Sequence, residues 1–185
     1  VRTLSLFLLL LPALTGCEHL FGKAEPEEPG EVLGVFHVVG TRASNTCGEG
    51  ALGATPTWEF DVELSREEGI LYWNNGAELV LGSLADDDRT FSIEASSVVD
   101  MRTEETLAYA PCSLERRDIA SGKLQKAGED EIVPGFSGSL TYRFSPTADS
   151  ECMDLIEGET ALFTMLPCTM VYELAAVRLA ASESE

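Results

Sequence analysis

The chain has 185 residues, with 12 Lys and Arg against 32 Asp and Glu, a formal charge of −20. That balance excludes nucleic-acid binding by phosphate neutralisation and electrostatic adhesion to an anionic membrane surface, since both need clustered cations and the longest basic run is Arg116-Arg117. At 44% hydrophobic residues the chain has the apolar surface for a folded core, and its length suits one domain with extensions.

Residues Val1 to Cys17 read VRTLSLFLLLLPALTGC. Arg2 gives a short positive start. Leu4 to Leu14 is apolar but too short to span a bilayer, which needs about 20 residues; it fits a secretory h-region. Leu14-Thr15-Gly16-Cys17 resembles the lipobox of bacterial lipoproteins, with a Leu three positions before the Cys and a small residue directly before it. The resemblance covers only these first residues. It implies that residues 1–16 are a signal peptide and that Cys17 is acylated and becomes the mature N-terminus. Glu18, in place of the Asp that retains such proteins in the inner membrane, implies the outer membrane of a bacterial cell envelope. The N-terminal lipid is then the membrane contact: the bilayer is where the protein is attached, not what it recognises. Cys17 to Glu31 forms an acidic, Pro-rich tether that cannot pack a core. Residues 32–185 form a single β domain.

The first strand is expected over Val35–Arg42. Thr57–Ser65 alternates Trp58, Phe60, Val62 and Leu64 with Glu59, Asp61 and Glu63, the pattern of a strand with one buried and one wet face. Gly69–Leu84 carries Asn75-Gly76 between apolar runs, a hairpin signal. A two-residue loop would set Tyr72 opposite Leu79 and Ile70 opposite Leu81. Leu71, Trp73 and Val80 then share the other face, which something must cover; these three are the candidate binding face. Asp86-Asp87-Asp88 reads as a solvated turn, because it lacks the spacing of an EF-hand loop. Arg89–Ser96 alternates again, and Val98–Met101 continues it past a bulge or bend. Glu104–Ala110 suits a short helical turn. On a strand over Cys112–Leu124, Cys112, Leu114 and Arg116 share a face, and an inward Arg116 needs a partner, for which Asp118 is the local candidate. Phe136–Phe144 is a strand with Phe136, Leu140, Tyr142 and Phe144 on one side. Thr169–Leu179 begins as a strand, and its Ala-rich second half suits a helix.

These elements describe an all-β chain: an antiparallel meander of about eight strands, forming either a small barrel, lipocalin-like in architecture, or a sandwich. Beyond Cys17 the cysteines number four: Cys47, Cys112, Cys152 and Cys168. In an oxidising compartment two disulfides are expected, and no C-x-x-C pair suggests zinc or redox chemistry. If first and last strands pair in a barrel, the end of one lies near the start of the other, which brings Cys47 to Cys168. The same logic brings Cys152 to Cys112. A Greek-key sandwich would pair them otherwise, as would a Cys152–Cys168 bridge closing a local loop.

No catalytic residue emerges. His37 sits inside VFHVV as a structural strand residue, and Gly135-Phe136-Ser137-Gly138-Ser139 departs from G-x-S-x-G. Ser121-Gly122-Lys123 lacks the rest of a P-loop. No metal and no cofactor is expected. The sequence points to a lipid-anchored, extracytoplasmic, non-catalytic binding or adaptor module, its partner an envelope protein. The alternatives are a carrier of a small apolar ligand within a barrel and a structural envelope lipoprotein. Cys17→Ser is expected to move the protein from the membrane to the soluble fraction on cell fractionation; continued membrane association would remove the lipoprotein reading.

Overall fold

The computed structural model describes residues 29–103, 108–128, 132–159 and 161–180. The expected signal peptide with its lipobox, Cys17, most of the expected tether and part of the Glu104–Ala110 segment lie outside the described residues. Eight strands follow one another: β1 (Glu31–Asn45), β2 (Thr57–Glu67), β3 (Ile70–Asn74), β4 (Leu79–Leu84), β5 (Thr90–Asp100), β6 (Ser113–Leu124), β7 (Gly135–Pro146) and β8 (Cys168–Arg178). Each pairs antiparallel with its neighbour in sequence, and β1 pairs with β8 to close a barrel. The barrel, not the sandwich, is the architecture.

Alternation along the strands decides what lies inside. Phe36 and Val38 of β1, Val62 and Leu64 of β2, and Met170, Tyr172, Leu174 and Ala176 of β8 are buried, while Glu59, Asp61, Glu94, Arg117 and Glu173 between such positions are exposed or form exposed pairs. An apolar interior and a charged exterior are the reverse of a lipid-facing barrel, whose outside is apolar. The rings of Phe36, Phe91, Phe136 and Trp73 meet in one half of the interior. Phe136 lies 5.8 Å from Phe36, 5.6 Å from Phe91 and 5.6 Å from Trp73 between centroids. Such packing adds about 0.5–1.5 kcal/mol per pair beyond burial. Gly122 makes room for it: a Cβ there would sit 2.7 Å from the Phe91 ring.

Three expectations are corrected. The β3–β4 loop has four residues, not two: Trp73 is opposite Val80, Tyr72 opposite Leu81 and Ile70 opposite Ser83. The side chains explain it, since Asn75 Oδ1 accepts the amides of Ala77 and Glu78 at 2.9 and 3.0 Å, and Asn74 Oδ1 accepts that of Gly76 at 2.9 Å. The register slips by two residues, so every side chain keeps its face. β5 runs to Asp100 in unbroken register with β6, without a bulge. The Ala-rich end of β8 stays extended, because Ala175 and Ala176 are held in ladders with β1 and β7 on both sides; pairing overrides local helix propensity. The described part of the Glu104–Ala110 segment, residues 108–110, is turn and bend. The helical structure among the described residues is one 3₁₀ turn at Met153–Leu155.

The meander sorts the connections by end. The near end carries the start of β1 and the β2–β3, β4–β5 and β6–β7 links. The far end carries the β3–β4 loop and the three longer connections, β1–β2, β5–β6 and β7–β8. Cys47–Cys168 and Cys112–Cys152 both lie at the far end, with Cα atoms 5.0 and 5.2 Å apart, in the pairing expected for a barrel. They clamp long connections to strand ends. The β7–β8 connection folds over part of that end, with Phe163 5.7 Å from Phe144 and the Thr164 amide donating to the Cys47 carbonyl at 2.7 Å.

The first bridge spans 121 residues and the second 40, so loss of either is expected to cost roughly 4–5 kcal/mol in the chain-entropy limit. Cys47→Ser, Cys168→Ser and the double variant should show equal losses in denaturant titration of the exported chain. Additive losses in the double variant would contradict the pairing.

Candidate functional site

The candidate site is a consequence of unequal strand lengths. β3 pairs with β2 only over Glu63–Glu67, and β4 with β5 only over Gly82–Leu84. β2 starts at Thr57 and β5 runs on to Asp100. The wall is therefore lower at the β3–β4 hairpin than on either side. Glu59, Asp61 and Glu94 flank this gap on the outer faces of β2 and β5 and guard the exposed edges against pairing with another chain. Behind the low wall a cavity of about 300 Å³ opens, with Asn75 and Glu78 of the hairpin loop at its rim.

Its apolar walls come from inward positions. Phe60, Trp73 and Val80 line the hairpin side; Ile93, Ala120 and Leu140 line the far wall. Phe60 and Trp73 are 6.0 Å apart between centroids, so the ring cluster of the packed half continues into the floor of the cavity. Its polar part is Arg116, Asp118 and Tyr142. Arg116 Nε donates to Asp118 Oδ1 at 2.8 Å and Nη2 to Oδ2 at 2.7 Å, a bidentate pair. The two side chains sit two residues apart on β6 and so share its inward face. The guanidinium lies 4.6 Å above the Tyr142 ring. Burial works against the Arg116 charge, but the Asp118 carboxylate holds its pKa above the ordinary value. Burial pushes the Tyr142 phenol up to about 12, so it stays a neutral donor at physiological pH.

Beyond this pair the aromatic row continues. Tyr142 is 5.7 Å from Tyr172, and Tyr172 5.5 Å from Trp58. The Tyr172 hydroxyl donates towards the Thr55 and Gly53 carbonyls at 2.9 and 3.0 Å, pinning the β1–β2 connection at the far end. The indole of Trp58 covers Gly40, where a Cβ would meet it at 2.5 Å. The Trp58 Nε1–H is buried without a hydrogen-bond partner among the described residues, as is the Ser65 hydroxyl; nothing in the structure explains Ser65.

The residues singled out from sequence divide. Leu71 is fully buried in the core and Trp73 is nearly so, while Val80 is partly buried. The face they share therefore turns into the barrel instead of outward to a partner, and the opposite wall covers it. Trp73 and Val80 reach the cavity. The exposed face of the hairpin is the other one, with Leu79 and Leu81 at 43% and 56% exposure. Arg116 and Asp118 pair as expected. Phe60, Glu78, Ile93 and Tyr142 join the cavity without being site candidates from the sequence. Phe60, Ile93 and Tyr142 all sit at inward positions of alternating strands, which was the available signal. Which inward positions share a cavity depends on register across six strands, β2 to β7.

Other polar clusters are structural. Asp87 Oδ1 accepts the amides of Arg89 and Thr90 at 3.0 and 2.7 Å, and Oδ2 lies 2.9 Å from Lys123 Nζ; these bonds hold its pKa far below the carboxylate range. It caps the β4–β5 turn. A second hollow of about 440 Å³ lies among the far-end connections. The Arg102 guanidinium there is fully committed, to both oxygens of Asp154 at 2.7 and 3.0 Å and to the carbonyls of Ala110 and Glu151. It cross-links two connections and leaves little for a ligand. Among the described residues no group of three or more His, Cys, Asp or Glu is placed to hold a metal ion.

No protein-family model, curated protein or solved structure matches the chain.

His37 on β1 lies 2.8 Å from Asp61 Oδ1 and 3.6 Å from Glu59 on β2. Its pKa is raised, chiefly by the Asp61 hydrogen bond. A raised folded pKa means that this contribution to stability is complete below about pH 6.5, the unfolded value, and is lost as pH rises through the folded one. NMR titration of the imidazole should give a midpoint above 6.5, lowered by Asp61→Asn; an unmoved midpoint in that variant would contradict the pair.

Proposed function

We propose that this protein is a lipid-anchored, extracytoplasmic binding module without catalytic activity, and that the cavity above the β3–β4 hairpin is its recognition site. The observation that carries the reading is the cavity's position. β1 enters at the near end, so the tether from Cys17 attaches there, while the cavity rim, the disulfides and the long connections lie at the far end. A chain anchored through Cys17 would present the cavity away from the bilayer. The tether from Cys17 to Glu31 spans at most about 45–50 Å fully extended, which keeps the module within reach of other envelope components. The lipobox supports a place in the cell envelope, on the outer membrane, and two disulfides suit an oxidising compartment.

A carrier would enclose its ligand within the barrel. Here ring side chains fill half of the interior, and the space that remains opens sideways over a low wall. Those features favour reversible capture at an open site over enclosure. Its size is at the lower limit of ligand pockets, about 300–1,000 Å³.

A neutral apolar dye tests the site without assuming the natural ligand. Nile red added to the exported Cys17→Ser chain should bind saturably, one molecule per chain, with a blue-shifted emission. Ala95→Trp, which fills the cavity from β5, should abolish the binding while leaving the thermal unfolding midpoint within a few degrees. Absence of saturable binding, or binding that Ala95→Trp leaves unchanged, would overturn the proposal.

A further inference from the structure

We propose that the cavity takes a small organic cation: an apolar body seated against Phe60, Trp73 and Val80, with an ammonium group turned towards Glu78. The inference rests on the reading of the cavity as a recognition site and adds the chemistry of its ligand.

The charge of the lining comes first. Three charged side chains border the cavity: Arg116, Asp118 and Glu78. Arg116 is matched by the two oxygens of Asp118. Glu78 stands at the rim with no ion pair among the described residues. The lining therefore carries one uncompensated negative charge, within a chain of net charge −20. Both the local charge and the long-range field concentrate cations at the mouth. An arriving anion would meet Glu78 and Asp118, and the one cation present is already committed.

The walls supply the second half of the recognition. Phe60, Trp73 and Tyr142 all border the same space, and an aromatic ring attracts a cation through its quadrupole, more strongly when water is excluded. The chain already uses this chemistry on itself. The Arg116 guanidinium lies over the Tyr142 ring and is held there by a carboxylate. The hairpin side offers the same two components, rings and a carboxylate, without an internal cation between them. An apolar body is favoured because the deeper lining, Val80, Ile93, Ala95, Ala120 and Leu140, offers no hydrogen bonds from its side chains, and Asn75 at the rim has its Oδ1 engaged by the amides of Ala77 and Glu78.

Benzyltrimethylammonium is the probe, compared with neopentylbenzene, its uncharged carbon isostere, and with the anion phenylacetate. Binding to the exported Cys17→Ser chain is followed by tryptophan fluorescence and by NMR shifts of the Val80 and Ile93 methyl groups. The cation should bind roughly tenfold or more tightly than the isostere and weaken as salt is added. Glu78→Gln, at an exposed loop position, should lower its affinity roughly three- to tenfold without changing that of the isostere. Equal affinity for cation and isostere would overturn the charge preference and leave the cavity as an apolar site. Preferential binding of phenylacetate would overturn it in favour of Arg116 as the anchor. If none of the three shifts the cavity methyls, the cation proposal falls together with the reading of the cavity as a site.

Discussion

The pairing of β1 with β8 is the contact on which the rest of the structure depends. It runs from Phe36 opposite Arg178 to Asn45 opposite Met170 and turns a twisted meander into a closed wall. Closure fixes the width of the interior, and eight strands leave a space that side chains can just fill. The sequence fills it unevenly. Phe36, Phe91, Phe136 and Trp73 occupy one half, and glycines stand where a larger residue would collide with a ring, as at Gly122 beneath Phe91 and Gly40 beneath Trp58. The other half contains smaller side chains, Val80, Ala95 and Ala120, together with one ion pair.

From that unevenness the site follows. A barrel of uniform wall height, filled in this way, would hold a blind pocket. The β3–β4 hairpin is short, so the pocket opens over its loop. Elsewhere at the far end the long connections are tied down by Cys47–Cys168, by Cys112–Cys152 and by the Arg102–Asp154 cross-link. The disulfides and the cavity mouth thus lie at the same end of the barrel, opposite the start of β1.

Much of the fold was legible because water stands on one side of each strand. Thr57–Ser65 and Phe136–Phe144 declare their inward faces by alternation alone, and the neighbour-to-neighbour strand order pairs the cysteines once the sheet closes as a barrel. The hairpin loop was not legible to the residue: Asn-Gly marks a turn, but its length was set by Asn74 and Asn75 side chains accepting loop amides. Nor was the extended end of β8, where ladders on both sides override alanine's preference for a helix. Arg116 and Asp118 could be matched because they share a face two residues apart. Glu78, Ile93 and Tyr142 could not be grouped, since their meeting depends on the registers of β3 to β7 taken together.

The central claim is that one half of the barrel is packed and the other hollow and open. Xenon under pressure tests it most directly, because the gas enters apolar space without needing a specific ligand. In methyl NMR spectra of the exported Cys17→Ser chain, the methyl groups of Val80, Ile93 and Leu140 should shift saturably with xenon pressure, while those of Leu64, Leu71 and Leu124 remain still. Shifts spread through Leu64, Leu71 and Leu124, or confined to the outer surface at Leu79 and Leu81, would contradict the account.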